Sequence, residues 1–311
     1  MNELELIRQL PRALPTNPSL VTGPGDDCAV LDLGLPDRWL LFKTDAVVEG
    51  VHFTREAPPE KVGHKALARC LSDIAAMAGT PTAAVITLGL PQDFDPGYLT
   101  GLYAGLGALA RRHEVAVAGG ETTTSPATLW ISIALIGTVD RNRCLHRGGS
   151  QAGDAIFVTG ELGGSLASGR HLEFEPRLAE ARWLAGRFPV HSMIDLSDGL
   201  ASDLRHLLEA GKVGAELLKT AVPISRSARR QARGESSAKT PLLAALTDGE
   251  DFELLFTVPA REAVALLDGW KAQFPSLPLA CIGRVTAEPG LRLRDETGVQ
   301  RFTGHGYVHF A

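Results

Sequence analysis

Carboxylates recur beside glycines along this chain, in segments where oxygen ligands could bind hard cations. The run at residues 41–53 carries Thr44, Asp45 and His52 at the end of an apolar stretch. Further acidic segments lie at residues 25–27, 72–73, 119–121, 195–199 and 248–251. Mg²⁺ accepts a few carboxylates and fills its remaining positions with water and phosphate oxygens. The pattern therefore predicts a site where hard cations hold phosphate groups.

Several of these residues also allow a purely structural interpretation. The adjacent carboxylates at residues 26–27 repel each other, so they need either a cation or a solvated turn. Asp45 follows an apolar strand, where a charge requires a partner. Asp73 lies in a helix of small and apolar residues, where either Arg69, four residues earlier, or a metal could pair with it. His52 either contacts a ligand or is a core imidazole bonded to the backbone.

The segment at residues 195–200 joins a β-rich stretch to a helix. Asp195 and Ser197 would lie on the same side of an extended strand. Ser197 or Asp198 could cap the helix that follows. Capping accounts for one of these three polar residues, so the other two favour a ligand.

Common phosphate-binding and nucleophile motifs are absent from the sequence. It contains no G-x-x-x-x-G-K-[ST] loop, no G-x-G-x-x-G after a strand, no protein-kinase motif set and no G-x-S-x-G elbow. A nucleotide enzyme of this sequence would hold phosphate through carboxylate-bound Mg²⁺, the backbone at Gly119 and Gly120, and an arginine such as Arg147.

Length and composition limit the class of protein. A chain of 311 residues predicts two domains, and 44% hydrophobic with 22% charged residues is typical of a globular protein. The net charge of −5 argues against a nucleic-acid partner. Four widely spaced cysteines argue against a zinc site or a disulfide framework. The acidic, helix-like pattern at residues 1–10 and the lack of a long apolar run predict a cytoplasmic protein without a membrane partner.

Alternating strand and helix patterns predict an α/β (α+β) fold in which each of two domains is a mixed β-sheet covered by helices. The glycine-rich residues 141–153 suggest a boundary that gives domains 1–145 and 146–311. Predicted strands lie at residues 28–33, 39–44, 82–90, 115–118, 128–138, 155–158, 193–196, 252–258, 279–285 and 291–294. Predicted helices lie at residues 60–78, 96–113, 163–170, 176–188 and 200–210. The basic segment 225–233 is interpreted as a solvated face or a mobile connector.

Taken in order, the motifs resemble those of thiamine-monophosphate kinases, which belong to the aminoimidazole-ribonucleotide synthase superfamily. The resemblance spans essentially the whole chain. It is carried by residues 25–27, 44–53, 71–77, 119–122, Arg147 before 153–154, 194–200, 249–254, 281–284 and 306–310. It implies two-domain α/β proteins that dimerise through their N-terminal sheets. It also implies transfer of the γ-phosphoryl group of ATP to thiamine monophosphate.

The resemblance further implies roles for single residues. Several Mg²⁺ ions would be held by Asp27, Thr44, Asp45, Asp73, Glu121, Asp195 and Asp198. ATP would contact Tyr103, Gly119, Gly120, Arg147 and Ser197, and thiamine monophosphate would contact His52, Glu250 and Tyr307. Asp26, Lys43 and Asp251 adjoin these residues without an assigned role. Because the attacking phosphate oxygen is already nucleophilic, no acid, base or covalent catalyst is expected.

Two residues depart from the family pattern. Lys43 stands where relatives usually carry Ser or Thr, and Glu121 where they usually carry Asp. An ammonium cannot ligate Mg²⁺, so Lys43 is expected to replace one ion. Two alternative functions are another ATP-using enzyme of the superfamily and a non-catalytic nucleotide-binding homologue. The reactive cysteine that a selenophosphate synthase or a hydrogenase-maturation relative would need is not found in the expected places.

Overall fold

The computed structural model describes residues 14–234 and 239–307. The helix-like pattern at residues 1–10 and the last residues of the 306–310 motif lie outside this range. The described chain forms two compact units. Unit N comprises Ser19–Cys144 and His171–Leu178, and unit C comprises Leu145–Arg170 and residues 179–234 and 239–307, together with residues 14–18. Each unit is a mixed sheet packed with helices, which confirms the predicted fold class.

Six strands form the sheet of unit N: β1 (Leu20–Thr22), β2 (Ala29–Leu31), β3 (Arg38–Val48), β4 (Thr80–Leu90), β5 (Ala116–Thr124) and β6 (Trp130–Asp140). Their spatial order is β1-β2-β3-β6-β4-β5. Only β4 and β5 run parallel among these neighbours. Along β6, Ile131, Ile133 and Leu135 are buried at alternate positions, so the predicted period of two is confirmed.

Two helices, α1 (Pro59–Ala76) and α2 (Pro96–Arg112), belong to unit N. Glycines let their backbones touch. A Cβ atom at Gly63 would lie 1.9 Å from the Leu102 carbonyl oxygen, and one at Gly105 would lie 1.8 Å from the Glu60 carbonyl oxygen. No side chain fits at such distances. The close contact holds α1, which carries Asp73, in a fixed position.

We expect Gly105→Ala to lower the free energy of unfolding by about 1–3 kcal/mol, because the added methyl group forces the two helices apart. Urea denaturation followed by circular dichroism would measure this. Gly107→Ala on the same helix is the matched control, since a Cβ there meets only the Arg111 guanidinium, at 3.4 Å. This control should be neutral or stabilising. Equal stability of Gly105→Ala and the wild type would contradict the close helix contact.

Seven strands form the sheet of unit C: β7 (Asp154–Thr159), β8 (Ser192–Asp195), β9 (Gly214–Leu218), β10 (Leu254–Pro259), β11 (Leu279–Thr286), β12 (Gly290–Asp295) and β13 (Gly298–Arg301). Their order is β13-β12-β9-β11-β7-β10-β8, with β9 and β12 parallel. The helices that follow Cys144 are α3 (Ser165–Ser168), α4 (Leu178–Arg187), α5 (Leu200–Gly211), α6 (Arg226–Gly234), α7 (Pro241–Thr247) and α8 (Ala263–Gln273). Helix α5 buries Leu204 and Leu207 in the core of unit C.

Three predicted segments differ from the structure. Strand β3 continues past Asp45 to Val48, because its pairing with β6 is unbroken to that residue. Strand β5 extends through the predicted glycine loop, so Gly119 and Gly120 lie within a strand. The basic segment forms α6 with Ala228 buried, so it is a solvated helix face and the alternative of a connector is wrong. Among the helices of residues 14–234 and 239–307, none has the length and apolar character needed to cross a bilayer.

Candidate active site

Two buried aspartates lie together in unit N. Asp27 is 2% exposed, and Asp73 on α1 is 7% exposed. One carboxylate oxygen of each lies within 4.8 Å of the other. The preceding Asp26 accepts the Asp27 N–H at 3.0 Å. Buried carboxylates at this separation repel each other, so the pair is stable only beside a positive charge.

Lys43 brings such a charge to the pair. Its Nζ atom lies 2.8 Å from Asp73 Oδ1. Burial disfavours the charged form, but the carboxylates of Asp73 and Asp45 outweigh it and raise the pKa of Lys43 above its ordinary value. Lys43 is therefore an ammonium ion inside the predicted metal site. Neither of the two interpretations of Asp73, an Arg69 pair or a metal, included this contact.

Asp45 is bonded on both of its oxygens. Arg69 Nε lies 2.9 Å from Asp45 Oδ2, and Asp45 Oδ1 accepts the Ala46 N–H at 2.8 Å. Asp45 and Lys43 share one face of β3, because side chains alternate along a strand. Thr44 lies between them and is exposed on the opposite, open face. The structure therefore does not bring the Thr44 hydroxyl to Asp45 or Asp73, the two acids beside Lys43.

Glu121 is separated from Asp45 within the chain. Strand β5 is the third strand from β3 in the sheet, which corresponds to about 14 Å at the usual strand spacing. Glu121 lies opposite Thr87, on the open face, and its Oε1 accepts the Thr122 N–H at 3.0 Å. Tyr103, a predicted ATP contact on α2, is 43% exposed. Asp45 and Glu121 of one chain therefore lie on opposite faces of the sheet, three strands apart.

His52 lies in the turn that follows β3 and is half-buried. Its ring Nδ1 accepts the Val48 N–H at 3.1 Å. The backbone bond expected by the structural interpretation is thus present. Because Nδ1 is the acceptor in this bond, a neutral ring carries its proton on Nε2.

Three distant segments meet in unit C. The Ser197 carbonyl accepts the Glu250 N–H at 2.7 Å, and the Asp198 carbonyl accepts the Tyr307 N–H at 2.9 Å. Glu250 has a φ of 65°, a left-handed conformation that is costly for a residue with a side chain and is often found at functional sites. The predicted ATP, metal and substrate residues of this half are therefore neighbours.

A further acid, Asp203, belongs to this group of residues in unit C. It accepts the N–H groups of Asp198 and Gly199 at 3.1 and 3.0 Å. The N-cap of α5 is Gly199, so the capping interpretation of Ser197 or Asp198 is wrong. Burial, with the charges of Asp198 and Asp195, raises the pKa of Asp203 well above its usual range, while Arg147 lowers it. Its signal in the sequence is an acid in the first turn of the helix after the 195–199 motif.

The donor sets of both units suit a hard cation. Unit N offers carboxylates at Asp27 and Asp73, and unit C offers one ligand atom each of Asp198, Asp203 and His206 within 4.8 Å of one another. The carboxylate oxygens of these sets are donors that Mg²⁺ prefers, whereas His206 offers a ring nitrogen. Asp195 ends β8 and is 4% exposed, so its carboxylate also needs a positive partner.

Asp251 adjoins Glu250 but is a structural acid. It is 1% exposed, accepts the Gly163 N–H at 2.9 Å and pairs with Arg170. Burial raises the pKa of Asp251 from 3.8 to about 7, against the opposing effects of Arg170 and the Gly163 N–H. The folded state therefore binds this proton more tightly than the unfolded chain does.

This raised pKa predicts a pH-dependent stability. The contribution of protonated Asp251 to the free energy of unfolding is fully present below about pH 4. It is lost as the pH rises through about 7. The stability of the wild type relative to Asp251→Asn should fall by about 1 kcal/mol per pH unit in that window and stay constant above it. Thermal melting from pH 4.5 to 8 would show this. A flat difference between the wild type and Asp251→Asn would contradict the shift.

Family models match both halves of the chain. The model of the AIR synthase related protein, N-terminal domain, matches residues 25–139, and that of the C-terminal domain matches residues 151–296. The fold and the acid-rich site thus define a protein of the AIR synthase related class.

The curated relatives are more specific. Thiamine-monophosphate kinase of Rhodopirellula baltica is 40% identical over 94% of this chain and 92% of its own length. The thiamine-monophosphate kinase of Escherichia coli K12 is 35% identical over 93% of this chain and 92% of its own length. The chain belongs to the thiamine-monophosphate kinase family.

Solved structures agree with this assignment. A structure described as AaThiL complexed with AMPPCP and TMP has a TM-score of 0.83, with 30% identity over 99% of this chain and 97% of that one. Thiamine monophosphate kinase of Aquifex aeolicus has a TM-score of 0.76, with 30% identity over 93% of this chain and 95% of that one. Escherichia coli HypE, a hydrogenase maturation protein, reaches 0.73 at 21% identity over 96% and 97% and shares the fold alone.

Proposed function

We propose that this chain transfers the γ-phosphoryl group of ATP to thiamine monophosphate and so forms thiamine diphosphate. Its match to thiamine-monophosphate kinases over almost the full length of both chains carries this conclusion. The neighbour that holds AMPPCP, an ATP analogue, together with TMP supports the same pair of substrates. The buried acids and the converging loops of unit C supply the groups that such a reaction requires.

The reaction joins two anionic phosphate chains, and their repulsion is a large part of the barrier. When bound, Mg²⁺ supplies positive charge that neutralises both chains and aligns them for in-line transfer. The residues that would hold these ions are Asp27, Thr44, Asp45, Asp73, Glu121, Asp195 and Asp198. The phosphate oxygen of thiamine monophosphate attacks the γ-phosphorus directly, so the protein acts by positioning and electrostatic stabilisation.

The remaining residues would bind and orient the two substrates. Tyr103, the Gly119 and Gly120 backbone, Arg147 and Ser197 would contact ATP. The Nε2–H of His52 would donate to the phosphate of thiamine monophosphate, with Glu250 and Tyr307 contacting the same substrate. We propose an N-terminal domain of residues 1–145, which carries the metal and ATP site and the dimerisation sheet, and a C-terminal domain of residues 146–311.

A homodimer would cover the open face of the unit N sheet. That face exposes Phe42 and Val85, at 45% and 43%. Edge strand β5 is exposed along its whole length. Exposed apolar sheet faces and long edges are typical of association surfaces. A second copy packed on this face would bring its Glu121 toward the face that carries Thr44, so we propose that the partner's Glu121 completes each active site from the side of Thr44.

We place the enzyme in the cytoplasm. Cys28 and Cys70 are buried thiols, and burial raises the pKa of both, which keeps them unreactive. Residues of this type suit a reducing compartment.

The direct test is incubation with ATP, Mg²⁺ and thiamine monophosphate, followed by chromatography for thiamine diphosphate. Product formation that depends on all three components is expected. Free thiamine is the control substrate and should give no product. ATP binding without turnover would favour a non-catalytic nucleotide-binding homologue, and phosphorylation of free thiamine would overturn the substrate assignment.

A further inference from the structure

Lys65 is a charged side chain buried inside unit N. It lies on α1 and is 0% exposed. Its Nζ atom donates to the His52 carbonyl oxygen at 2.6 Å and lies 2.8 Å from His171 Nδ1. Burying an ammonium ion is costly, and an apolar side chain of similar volume would avoid that cost. A lysine at this position therefore calls for an explanation beyond filling the core.

The first partner of Lys65 belongs to the turn that presents His52. In this turn the Val48 carbonyl accepts the N–H groups of Val51 and His52, at 3.1 and 2.9 Å, and Gly50 N–H donates to the Phe53 carbonyl at 2.8 Å. These bonds are local. Lys65 adds a bond from a different element, the rigid helix α1.

The opposite end of the turn is also fixed. Glu49 N–H donates to the Leu129 carbonyl at 2.9 Å, and the Leu129 N–H donates to Glu49 Oε2 at 3.1 Å. The turn is thus attached to the chain just before β6 at one end and to α1 through Lys65 at the other. The Lys65 bond acts on the His52 main chain from outside the turn.

The position of the His52 ring depends on that main chain. Ring Nδ1 is bonded to the Val48 N–H, so moving the His52 backbone breaks or lengthens the bond. With Nδ1 as the acceptor, the neutral ring carries its proton on Nε2. A charge-assisted bond from Lys65 to the His52 carbonyl therefore fixes both where the ring lies and which nitrogen donates.

The second partner of Lys65 is held in place independently. His171 belongs to the segment His171–Leu178 of unit N and is 8% exposed. The same segment is bonded to α1 through the Phe174 carbonyl, which lies 2.8 Å from His64 Nε2. His171 Nδ1 accepts from the Lys65 ammonium, so Lys65 cannot swing away from His52 without losing a second acceptor.

We propose that Lys65 is a positioning residue for substrate binding: its buried ammonium holds the His52 main chain so that His52 Nε2–H donates to the phosphate of thiamine monophosphate. This role rests on the proposed function of His52. Lys65 touches no reacting atom. It acts by keeping one hydrogen-bond donor in place before the substrate arrives.

The kinetic test compares Lys65→Met, an unbranched side chain one atom shorter that removes the charge, with His52→Ala and the double variant. Lys65→Met should raise the KM for thiamine monophosphate about tenfold, as the loss of one charge-assisted contact predicts. The KM for ATP should change less than twofold. In the His52→Ala background, Lys65→Met should add almost nothing, because both changes remove the same contact.

Lys61→Met is the matched control on the same helix. Lys61 is exposed and pairs with Glu173, so this variant should leave both KM values unchanged. Additive effects of Lys65→Met and His52→Ala, or an equal rise of both KM values, would show a merely structural role and overturn the inference. If Lys65→Met does not fold, Lys65→Gln gives the same comparison with a neutral donor that is one atom shorter.

A second readout needs no activity. Spectra of protein with ¹⁵N-labelled histidine, with His52 assigned by the His52→Ala variant, should show the Nε2–H tautomer in the wild type. In Lys65→Met the His52 signals should move toward the average of both tautomers. An unchanged tautomer would overturn the inference even in an active kinase. A wild type that shows the tautomer but forms no thiamine diphosphate would instead refute the proposed function.

Discussion

Asp45→Asn and Glu121→Gln should each inactivate the enzyme, and mixed dimers of the two variants should recover activity. Within one chain these residues lie on opposite faces of the sheet and about 14 Å apart by strand spacing. Both are proposed to hold ions that bind the same ATP. If each site combines Asp45 of one chain with Glu121 of its partner, a mixed dimer has one site with both changes and one intact site.

The expected size of the effect is large. Each single variant should lose on the order of a hundredfold or more in kcat, as removal of one preorganised electrostatic group does. Random exchange of subunits should restore about a quarter of wild-type activity, since half of the dimers are mixed and half of their sites are intact. Mixing after unfolding and refolding, with light scattering to verify dimers, measures this directly.

The control mixture pairs Asp45→Asn with the double variant Asp45→Asn/Glu121→Gln. No arrangement of these chains contains an intact site, so activity should stay at background. Dimers of the two single variants that form but remain inactive would place both residues in the same subunit's site. Activity of either variant alone near the wild-type level would instead remove that residue from the site.

Lys43→Ser should increase the number of divalent ions bound per chain by one. In the wild type the Lys43 ammonium lies 2.8 Å from Asp73, in the place where a cation would relieve repulsion between Asp73 and Asp27. Serine removes that charge and offers an oxygen ligand. Counting bound Mn²⁺ by electron paramagnetic resonance in the presence of a non-hydrolysable ATP analogue gives the number without any turnover.

Two further variants isolate the cause. Lys43→Arg keeps the charge and should keep the wild-type count. Lys43→Met removes the charge without adding a ligand, so it should leave the two acids repelling each other and lower the melting temperature at low metal concentration. Equal, non-zero counts for the wild type and Lys43→Ser would refute the substitution of an ion by Lys43. No bound ion in either protein would refute the magnesium proposal itself.

Local patterns were sufficient for most of the architecture. The alternation of Ile131, Ile133 and Leu135 predicted a half-buried strand, and β6 has that burial. Prediction failed where long-range pairing decides an element. Strand β3 continues through Lys43, Thr44 and Asp45 because β6 lies beside it, although so polar a run is not typical of a strand interior.

Pairing between charges was also beyond the sequence. Lys43 meets Asp73, and Arg69 meets Asp45, across the contact between β3 and α1. No spacing rule relates these positions, because the partner of a buried charge is set by how two elements pack. The buried contacts of Asp203 and Lys65 were missed for the same reason.

The sequence by itself determined the chemical inventory of this protein: oxygen ligands in ordered motifs, strands and helices to carry them, and a likeness to one kinase family. These are properties of residue type and short spacing. The tertiary structure alone decided which acid received which cation, which face of the sheet displayed Thr44 and Glu121, and what held His52. Those outcomes depend on strand register and on helix packing between residues far apart in the chain.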